Sequence, residues 1–400
     1  MTGDGDDRRG TAVAAGPRAA SPGTGAGGPG AGLTGAEVPG AGLAGTGVPG
    51  TGVPGSGGPG AGLAALARVD LVIAPTPLHP APRLSRELGV PVLLKRDDLA
   101  GVGLGGNKLR GLEFLIADAL AQGCDSLVTG AGPQSNWTML AALACLRYGL
   151  EPHVVCYGEP TRHEAGRAQG NMRLHRWLGV DVRFTGAPER SSVDAGIDAV
   201  TAGLRAAGRR PYPVPRGGAT PLGALGYVRA SVELAAQLAQ LDEPPAGLWL
   251  ATGSCGTQAG LVAGAVLTAA PYQVVGVTVS RPVAECANRV RELAAAAAAL
   301  ADLDLAGMST GLPGPEVRDG WIGPGYGEPS AAGQEAARLV AATEGVFLDP
   351  VFGAKAMAAL IADCRAGRVR GPQVFLVSGG APTLFAGLPL EAALPGGEAR

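Results

Sequence analysis

The stretch "GGNKLRGLEF", residues 105–114, places a lysine directly behind two glycines and an asparagine, where a loop turns into a helix. The chain has only three lysines, Lys95, Lys108 and Lys355, although lysine and arginine together number 32. A cation at a helix start is slightly disfavoured by the helix dipole. Lys108 is therefore interpreted as functional, the alternative being a surface lysine at a helix start.

Around this stretch, apolar runs bounded by glycine or proline alternate with alanine-rich stretches of helical length. Such alternation is typical of parallel sheets covered by helices and predicts an open α/β architecture. The predicted strands are "VPVLLKRD", "SLVTGA", "PHVVCY", "VDVRFT", "GLWLAT", "YQVVGVTV" and "QVFLVS". The predicted helices span 107–122, 134–149, 164–178, 192–207, 221–240, 257–269, 283–300, 331–344 and 353–366.

Composition separates the first 66 residues, which are rich in glycine, alanine and proline in approximate five-residue units, from the rest. That segment is predicted to be a disordered tail, because it cannot bury enough apolar surface to offset its chain entropy. A net charge of -2, with scattered arginines, gives no sign of a nucleic-acid partner. No apolar run has membrane-spanning length. We expect a cytoplasmic protein without a metal site, since six cysteines and four histidines show no ligand spacing.

Four loops are placed to hold a ligand at the carboxyl ends of the predicted strands. The loop in "ATGSCGTQAGL", residues 251–261, follows a strand and opens a helix, so that backbone N–H groups and the Thr257 hydroxyl can surround an anion. Its spacing matches neither a Walker loop nor a GxGxxG fingerprint. A simple packing turn is the alternative. The other three loops are "GGNKLR", "GAGPQSNW" and "VSGGAPT".

Lys108 indicates which kind of ligand this anion site could bind. A lysine held beside a phosphate site, in a pocket between sheet loops, can form a Schiff base with an aldehyde cofactor. Lys95 lies among charges at a strand end and is predicted to form a salt bridge. Lys355 lies on a predicted helix and is not assigned to the cofactor.

Six motifs in one order then resemble a known family: "KRDDLAGVGLGGNKLRGLEFLIADAL", "GAGPQSNW", "ATGSCGTQAGL", "GPGYGEP", "LDPVFGAKAM" and "VSGGAPTLFA". The chain from about 70 to 387 resembles the D-cysteine desulfhydrase and 1-aminocyclopropane-1-carboxylate deaminase family of fold-type II pyridoxal 5'-phosphate enzymes. The resemblance implies a tryptophan synthase β-like α/β fold with two open, twisted, mostly parallel sheets. It also implies a homodimer, a large domain of residues 67–110 and 221–390, and a small domain of residues 111–220.

The resemblance further implies the role of each site residue. Lys108 would carry the cofactor and shuttle the α-proton, and Asn136 would bind the cofactor's phenolic oxygen. Ser135 would meet the substrate carboxylate or assist proton transfer, and Tyr326 would approach the substrate. Ser378 would face the pyridine nitrogen and leave it neutral, which favours elimination over transamination. The phosphate would lie on the turn formed by Cys255, Gly256 and Thr257.

Four positions depart from the family pattern. Gly111 stands where a second lysine often reaches the phosphate, and Arg110 is a candidate to replace that contact. Trp137 replaces a histidine or glutamine and is expected to reshape the pocket floor. Phe352 replaces a tyrosine, and Gly353 follows it where an acidic residue or threonine is frequent. Because a phenyl ring has no hydroxyl to attack or protonate carbon, Phe352 argues against opening of a cyclopropane ring.

The predicted function is a pyridoxal-phosphate-dependent lyase or deaminase of a small amino acid. We expect α,β-elimination from a β-substituted, cysteine-like alanine, yielding a 2-oxo acid and ammonia. The rings of Trp137 and Phe352 lead us to expect an uncharged or apolar β-substituent. The alternatives are β-replacement, a specialised biosynthetic lyase, and a catalytically idle regulator that binds the cofactor.

Overall fold

The computed structural model describes residues 61–160, 168–303 and 314–387 of the chain. Ten strands form a six-stranded sheet in the order β1-β2-β10-β7-β8-β9 and a four-stranded sheet in the order β5-β4-β3-β6. β1 and β2 are antiparallel, and the other paired strands are parallel. The strands are β1 Leu78–Pro80, β2 Val92–Arg96, β3 Ser126–Ala131, β4 Glu151–Cys156, β5 Asp181–Phe184, β6 Pro211–Pro213, β7 Gly247–Thr252, β8 Gln273–Thr278, β9 Glu316–Arg318 and β10 Gln373–Val377. The predicted α/β fold with two mostly parallel sheets is confirmed.

Eight of the nine predicted helices agree with the structure to within two residues at each end. The predicted helix 164–178 is seen in the described residues as Gly170–Trp177, and the helix Pro82–Leu88 was not predicted. None of the helices in the described ranges is long and apolar enough to cross a membrane. The helices are Ala61–Ala65, Pro82–Leu88, Lys108–Ala121, Asn136–Arg147, Gly170–Trp177, Ser192–Ala206, Pro221–Leu238, Gly256–Leu267, Val283–Leu300, Ala331–Glu344 and Gly353–Arg365.

Both faces of the six-stranded sheet are covered by apolar side chains. One cluster joins the sheet to the helices Pro221–Leu238, Gly256–Leu267 and Val283–Leu300. A second cluster joins its other face to helices that include Ala331–Glu344 and Gly353–Arg365. Strands buried on both faces read as continuous apolar runs, which is why the central strands were predictable from sequence.

The four-stranded sheet contains β3 to β6 and falls inside residues 111–220, the predicted small domain. The strands of the six-stranded sheet lie before and after that range. The division into two domains itself remains a prediction.

The predicted boundary of the tail is wrong at its end. Residues Ala61–Ala65, which were assigned to the disordered segment, form a helix. Leu63 is buried in a core cluster and Leu66 packs against the same cluster. These two leucines supply the apolar contact that joins this segment to the core. Residues 1–60 lie outside the described residues.

Candidate functional site

A cavity of about 840 Å³, including its open mouth, lies where the predicted ligand loops meet. A smaller cavity of about 320 Å³ shares Asn107 and Lys108 with it and contacts Gly256 and Thr257 of the predicted phosphate turn. The structure therefore brings together residues from distant parts of the sequence. The predicted site residues that line the larger cavity are Lys108, Ser135, Asn136, Trp137, Tyr326, Phe352 and Ser378.

Lys108 is the first residue of its helix and is held from two sides through Asn107. The side-chain amide of Asn107 donates to the Thr257 hydroxyl at 3.0 Å, and its backbone N–H donates to the Ser378 carbonyl at 2.9 Å. The Lys108 side chain faces the cavity, and burial of its amine lowers its pKa to about 8. A buried amine with a depressed pKa is available as a nucleophile and a base near neutral pH.

The predicted phosphate turn fits an anion. Cys255 adopts a left-handed conformation at φ 76° and caps the helix Gly256–Leu267, so that the first N–H groups of this helix are unpaired within it. Its thiol points away from the site, with its Sγ 3.8 Å from the Sγ of Cys286, so only its backbone can serve a ligand. The smaller cavity is also lined by Gly217 and contains no acidic side chain. Phosphate binding at such a helix end follows from the helix dipole.

Ser135 and Asn136 open a second helix at the cavity wall. Ser135 caps the helix Asn136–Arg147, its hydroxyl accepting from the Thr138 N–H at 3.4 Å. The Asn136 side-chain oxygen accepts from the Asn171 amide at 2.9 Å. This bond directs the Asn136 nitrogen toward Gly380, where a Cβ atom would lie 2.5 Å from it. Both side chains are thus fixed before any ligand arrives.

Trp137 forms a rigid wall shared by the two cavities. Its indole N–H donates to the Thr129 hydroxyl at 2.9 Å, and only 4% of the residue is exposed. The ring lies against Gly218, where a Cβ atom would be 2.4 Å from it. Gly218 has a φ of 71°, so both conformation and space require glycine there.

Tyr326 and Phe352 stand edge to face, with ring centroids 6.1 Å apart and an interplanar angle of 70°. Lys355 holds the Tyr326 loop, donating from its buried amine to the carbonyls of Ile322 at 2.6 Å and Gly325 at 3.0 Å. Lys355 lies on the helix Gly353–Arg365, as predicted, and its amine is occupied by these carbonyls.

Asp349, which the sequence reasoning missed, fixes the turn that carries Phe352. Its carboxylate accepts from the N–H groups of Val351 at 3.1 Å, Phe352 at 2.7 Å and Gly353 at 2.8 Å. Burial raises its pKa to about 6. The sequence signal was present, since an aspartate in the turn just before a helix is a common acceptor for nearby backbone N–H groups.

Three arginines line the cavity, namely Arg190, Arg216 and Arg281, together with Tyr157. None was predicted, because each stands in a loop without a motif. None of the residues described around this cavity is acidic. These arginines add positive charge to a wall that was described from the sequence by its two aromatic rings alone, and they argue against the expected uncharged or apolar β-substituent.

Arg110 does not replace the missing phosphate contact. Two of its guanidinium nitrogens donate to the buried carboxylate of Asp97, each at 2.7 Å, and another donates to Glu233 at 3.0 Å. The predicted Lys95 salt bridge joins the same network, with 2.5 Å between its amine and Glu233. Arg110 is thus a structural cation beneath the site.

Gly111 is required by helix packing. A Cβ atom on it would lie 2.7 Å from the carbonyl oxygen of Gly223, on the facing helix Pro221–Leu238. A lysine at 111, as in the family pattern, would therefore force the two helices apart.

Gly111→Ala is expected to lower the free energy of unfolding by about 1–3 kcal/mol, because the crowding atom is backbone and cannot rotate away. Denaturant unfolding measures this difference. Gly203→Ala is the matched control, since a Cβ atom there meets nothing within 4 Å and alanine favours a helix. Equal effects of the two substitutions would contradict the packing explanation.

Residues 69–379 match the family described as "Pyridoxal-phosphate dependent enzyme". A D-cysteine desulfhydrase of Salmonella choleraesuis (strain SC-B67) is 40% identical over 329 residues, which cover 81% of this chain and 97% of that protein. The crystal structure of an ACC deaminase homologue superimposes with a TM-score of 0.74 at 33% identity, covering 81% of this chain and 95% of that one.

A fungal L-serine ammonia-lyase from Rhizomucor miehei has the same fold, with a TM-score of 0.54 at 20% identity over 78% of this chain and 95% of that one. The family match covers both sheets, Lys108 and the anion turn beside it. The protein belongs to the family of pyridoxal-phosphate dependent enzymes.

Proposed function

We propose that the protein is a lyase that removes a β-substituent and ammonia from a small, cysteine-like amino acid and leaves a 2-oxo acid. The observation that carries this proposal is the position of Lys108 at the wall of both cavities, beside an anion-binding turn, where desolvation lowers the pKa of its amine to about 8. The desulfhydrase relative supports elimination as the reaction type.

Pyridoxal phosphate, when bound, supplies an electron sink for the negative charge that develops at Cα. Gly256 and Thr257 would hold its phosphate, and Asn136 and Ser378 would contact its ring substituent and ring nitrogen. Lys108 would hold the cofactor covalently and then accept the α-proton on its Nζ.

The substrate α-carboxylate would rest on the Ser135 hydroxyl and on the first N–H groups of the helix Asn136–Arg147. This position uses both a short polar side chain and the positive end of a helix. Trp137 and Phe352 would close the floor and exclude water from the proton that Lys108 holds. Tyr326, which lines the cavity as Tyr157 does, would approach the substrate with its phenol.

Ammonia and 2-oxo acid should be released from cysteine or β-chloroalanine in at least one configuration, and not from 1-aminocyclopropane-1-carboxylate. Phe352 offers no hydroxyl for ring opening, whereas a good leaving group departs once the α-proton is removed. A coupled 2-oxo acid assay and an ammonia assay on the full-length chain measure both outcomes. Turnover of the cyclopropane would show that Tyr326 or water supplies the missing hydroxyl. No turnover of any of these substrates would favour a cofactor-binding regulator.

We also propose a cytoplasmic homodimer, with the domain division given by the sequence. The six free cysteines support a reducing compartment. Leu104, 59% exposed, and Trp177, 81% exposed, border one apolar cavity and support a partner at that surface. Light scattering of the purified chain tests the dimer, and a monomer at micromolar concentration would refute it.

A further inference from the structure

The larger cavity has an excess of positive charge. Four basic side chains line it, Lys108, Arg190, Arg216 and Arg281, while no aspartate or glutamate is among its described lining residues. We propose, on the basis of the lyase function above, that the β-substituent of the preferred substrate carries an acidic group such as a sulfonate or phosphate. The three arginines would be the residues that select it.

Arg190 is the strongest element of this proposal. Its guanidinium carbon lies 3.9 Å from the centroid of the Tyr326 ring. It has no salt bridge or hydrogen bond to any part of the chain that the structure describes. A guanidinium has five N–H donors, so those of Arg190 are available to a ligand. The contact with Tyr326 places this charge beside the phenol that approaches the substrate.

Arg216 and Arg281 are only partly neutralised. Arg216 lies 3.1 Å from an Asp194 carboxylate that is 51% exposed, and such exposed pairs contribute little. Arg281 pairs with Glu285, which is 52% exposed, and its Nε donates to the Gly253 carbonyl at 3.1 Å. Neither carboxylate belongs to a residue that lines the cavity, so each arginine keeps donors for a ligand there.

The other anions of the reaction have their own sites. The smaller cavity, where the cofactor phosphate would lie, contains no arginine among its described lining residues. The substrate α-carboxylate is served by Ser135 and a helix N-terminus. The three arginines therefore remain as surplus positive charge, and a second acidic group on the substrate is what would neutralise them.

The reaction needs no reactant other than water. Lys108 takes the α-proton, the bond from Cβ to the substituent breaks, and its electron pair leaves with the substituent as sulfite or phosphate. Water then replaces the nitrogen, giving pyruvate and ammonia. No oxidation or reduction of the substrate carbons by an outside agent is involved.

Binding separates charge recognition from leaving-group chemistry. Homocysteic acid and methionine have side chains of similar length, and neither carries a leaving group on Cβ. Titrations of the full-length holoenzyme, followed by calorimetry and by the visible spectrum, should give a Kd at least about thirtyfold lower for homocysteic acid, as expected for a charge pair in a desolvated site.

Turnover gives the second measurement. Cysteic acid and O-phosphoserine should be processed, with release of sulfite or phosphate.

The preference for an acidic side chain should weaken when an arginine is neutralised. Arg190→Gln and Arg216→Gln are each expected to lower the ratio of the methionine Kd to the homocysteic acid Kd by at least about tenfold. Arg190→Lys, which keeps the charge, should retain most of the preference. Arg205→Gln, an exposed arginine on the helix Ser192–Ala206, is the matched control and should leave the ratio unchanged.

The failures are distinguishable. Equal binding of homocysteic acid and methionine, or an unchanged ratio in both Arg→Gln variants, would overturn the proposal. Turnover of neutral β-substituted alanines with no turnover of the acidic ones would overturn it while leaving the lyase function intact. Absence of ammonia release from both groups of substrates, with homocysteic acid still bound tightly, would refute the lyase function and keep the anion site.

Discussion

Lys108→Ala is expected to lower kcat by at least about 1000-fold, because the variant loses both the covalent attachment of the cofactor and the base for the α-proton. The other two lysines cannot substitute for it. The Lys95 amine is paired with Glu233, and the Lys355 amine is bound to backbone carbonyls. Ammonia release at saturating substrate measures the loss.

Borohydride reduction of the unaltered protein, followed by peptide mapping, should place a pyridoxyl group on residue 108. The pH dependence provides a further check. The neutral amine attacks the aldehyde, and burial places the pKa of Lys108 at about 8. Cofactor loading should therefore become faster as the pH rises through 8 and level off above it. A label on Lys95 or Lys355, or a fully active Lys108→Ala variant, would refute the assignment.

Asp97→Ala is expected to lower the free energy of unfolding by about 3–5 kcal/mol, because it removes the fully buried carboxylate of the two that pair with the buried Arg110. Asp97 is fully buried, accepts two bonds from Arg110, and also accepts from the Tyr227 hydroxyl. Burial alone would raise the pKa of Asp97, but Arg110 and Tyr227 lower it below 3.8. Its contribution is therefore present at neutral pH and is lost as the pH falls below that value.

The neighbouring Asp98 supplies a matched control. Asp98 pairs with Arg96 at 2.6 Å, and both side chains are partly exposed, at 17% and 13%. Asp98→Ala is expected to cost below about 1 kcal/mol. Denaturant unfolding of the holo form compares the two variants. Similar losses for both would mean that the buried network does not stabilise this part of the protein.

The strands and helices that were predicted correctly are those whose burial produces a simple pattern of apolar residues in the sequence. Central strands such as β7 and β10 are apolar except for one terminal residue each, and the long helices are rich in alanine, so their positions follow from composition. Strands β1, β6 and β9 were missed. Each has three residues and lies at the edge of a sheet, and β1 and β6 contain proline, so none forms an apolar run.

The site shows the same division between local and long-range information. Lys108 and the anion turn lie in glycine-rich loops at helix starts, a pattern that local sequence can reveal. Arg190, Arg216 and Arg281 come from three separate loops that only the folded chain brings to one cavity. Whether these arginines can bind a ligand depends on which charged side chains lie near them in the folded chain, and no single stretch of sequence contains that information.

The order of strands in the larger sheet has a consequence for synthesis. β10, residues Gln373–Val377, lies between β2 and β7, although it follows both by more than 100 residues. Until the ribosome has released β10, the nascent chain has a gap at the centre of this sheet, and the bond from Asn107 to the Ser378 carbonyl cannot form. The loop that carries Lys108 is completed late in translation, so a shortened nascent chain cannot present a finished cofactor site.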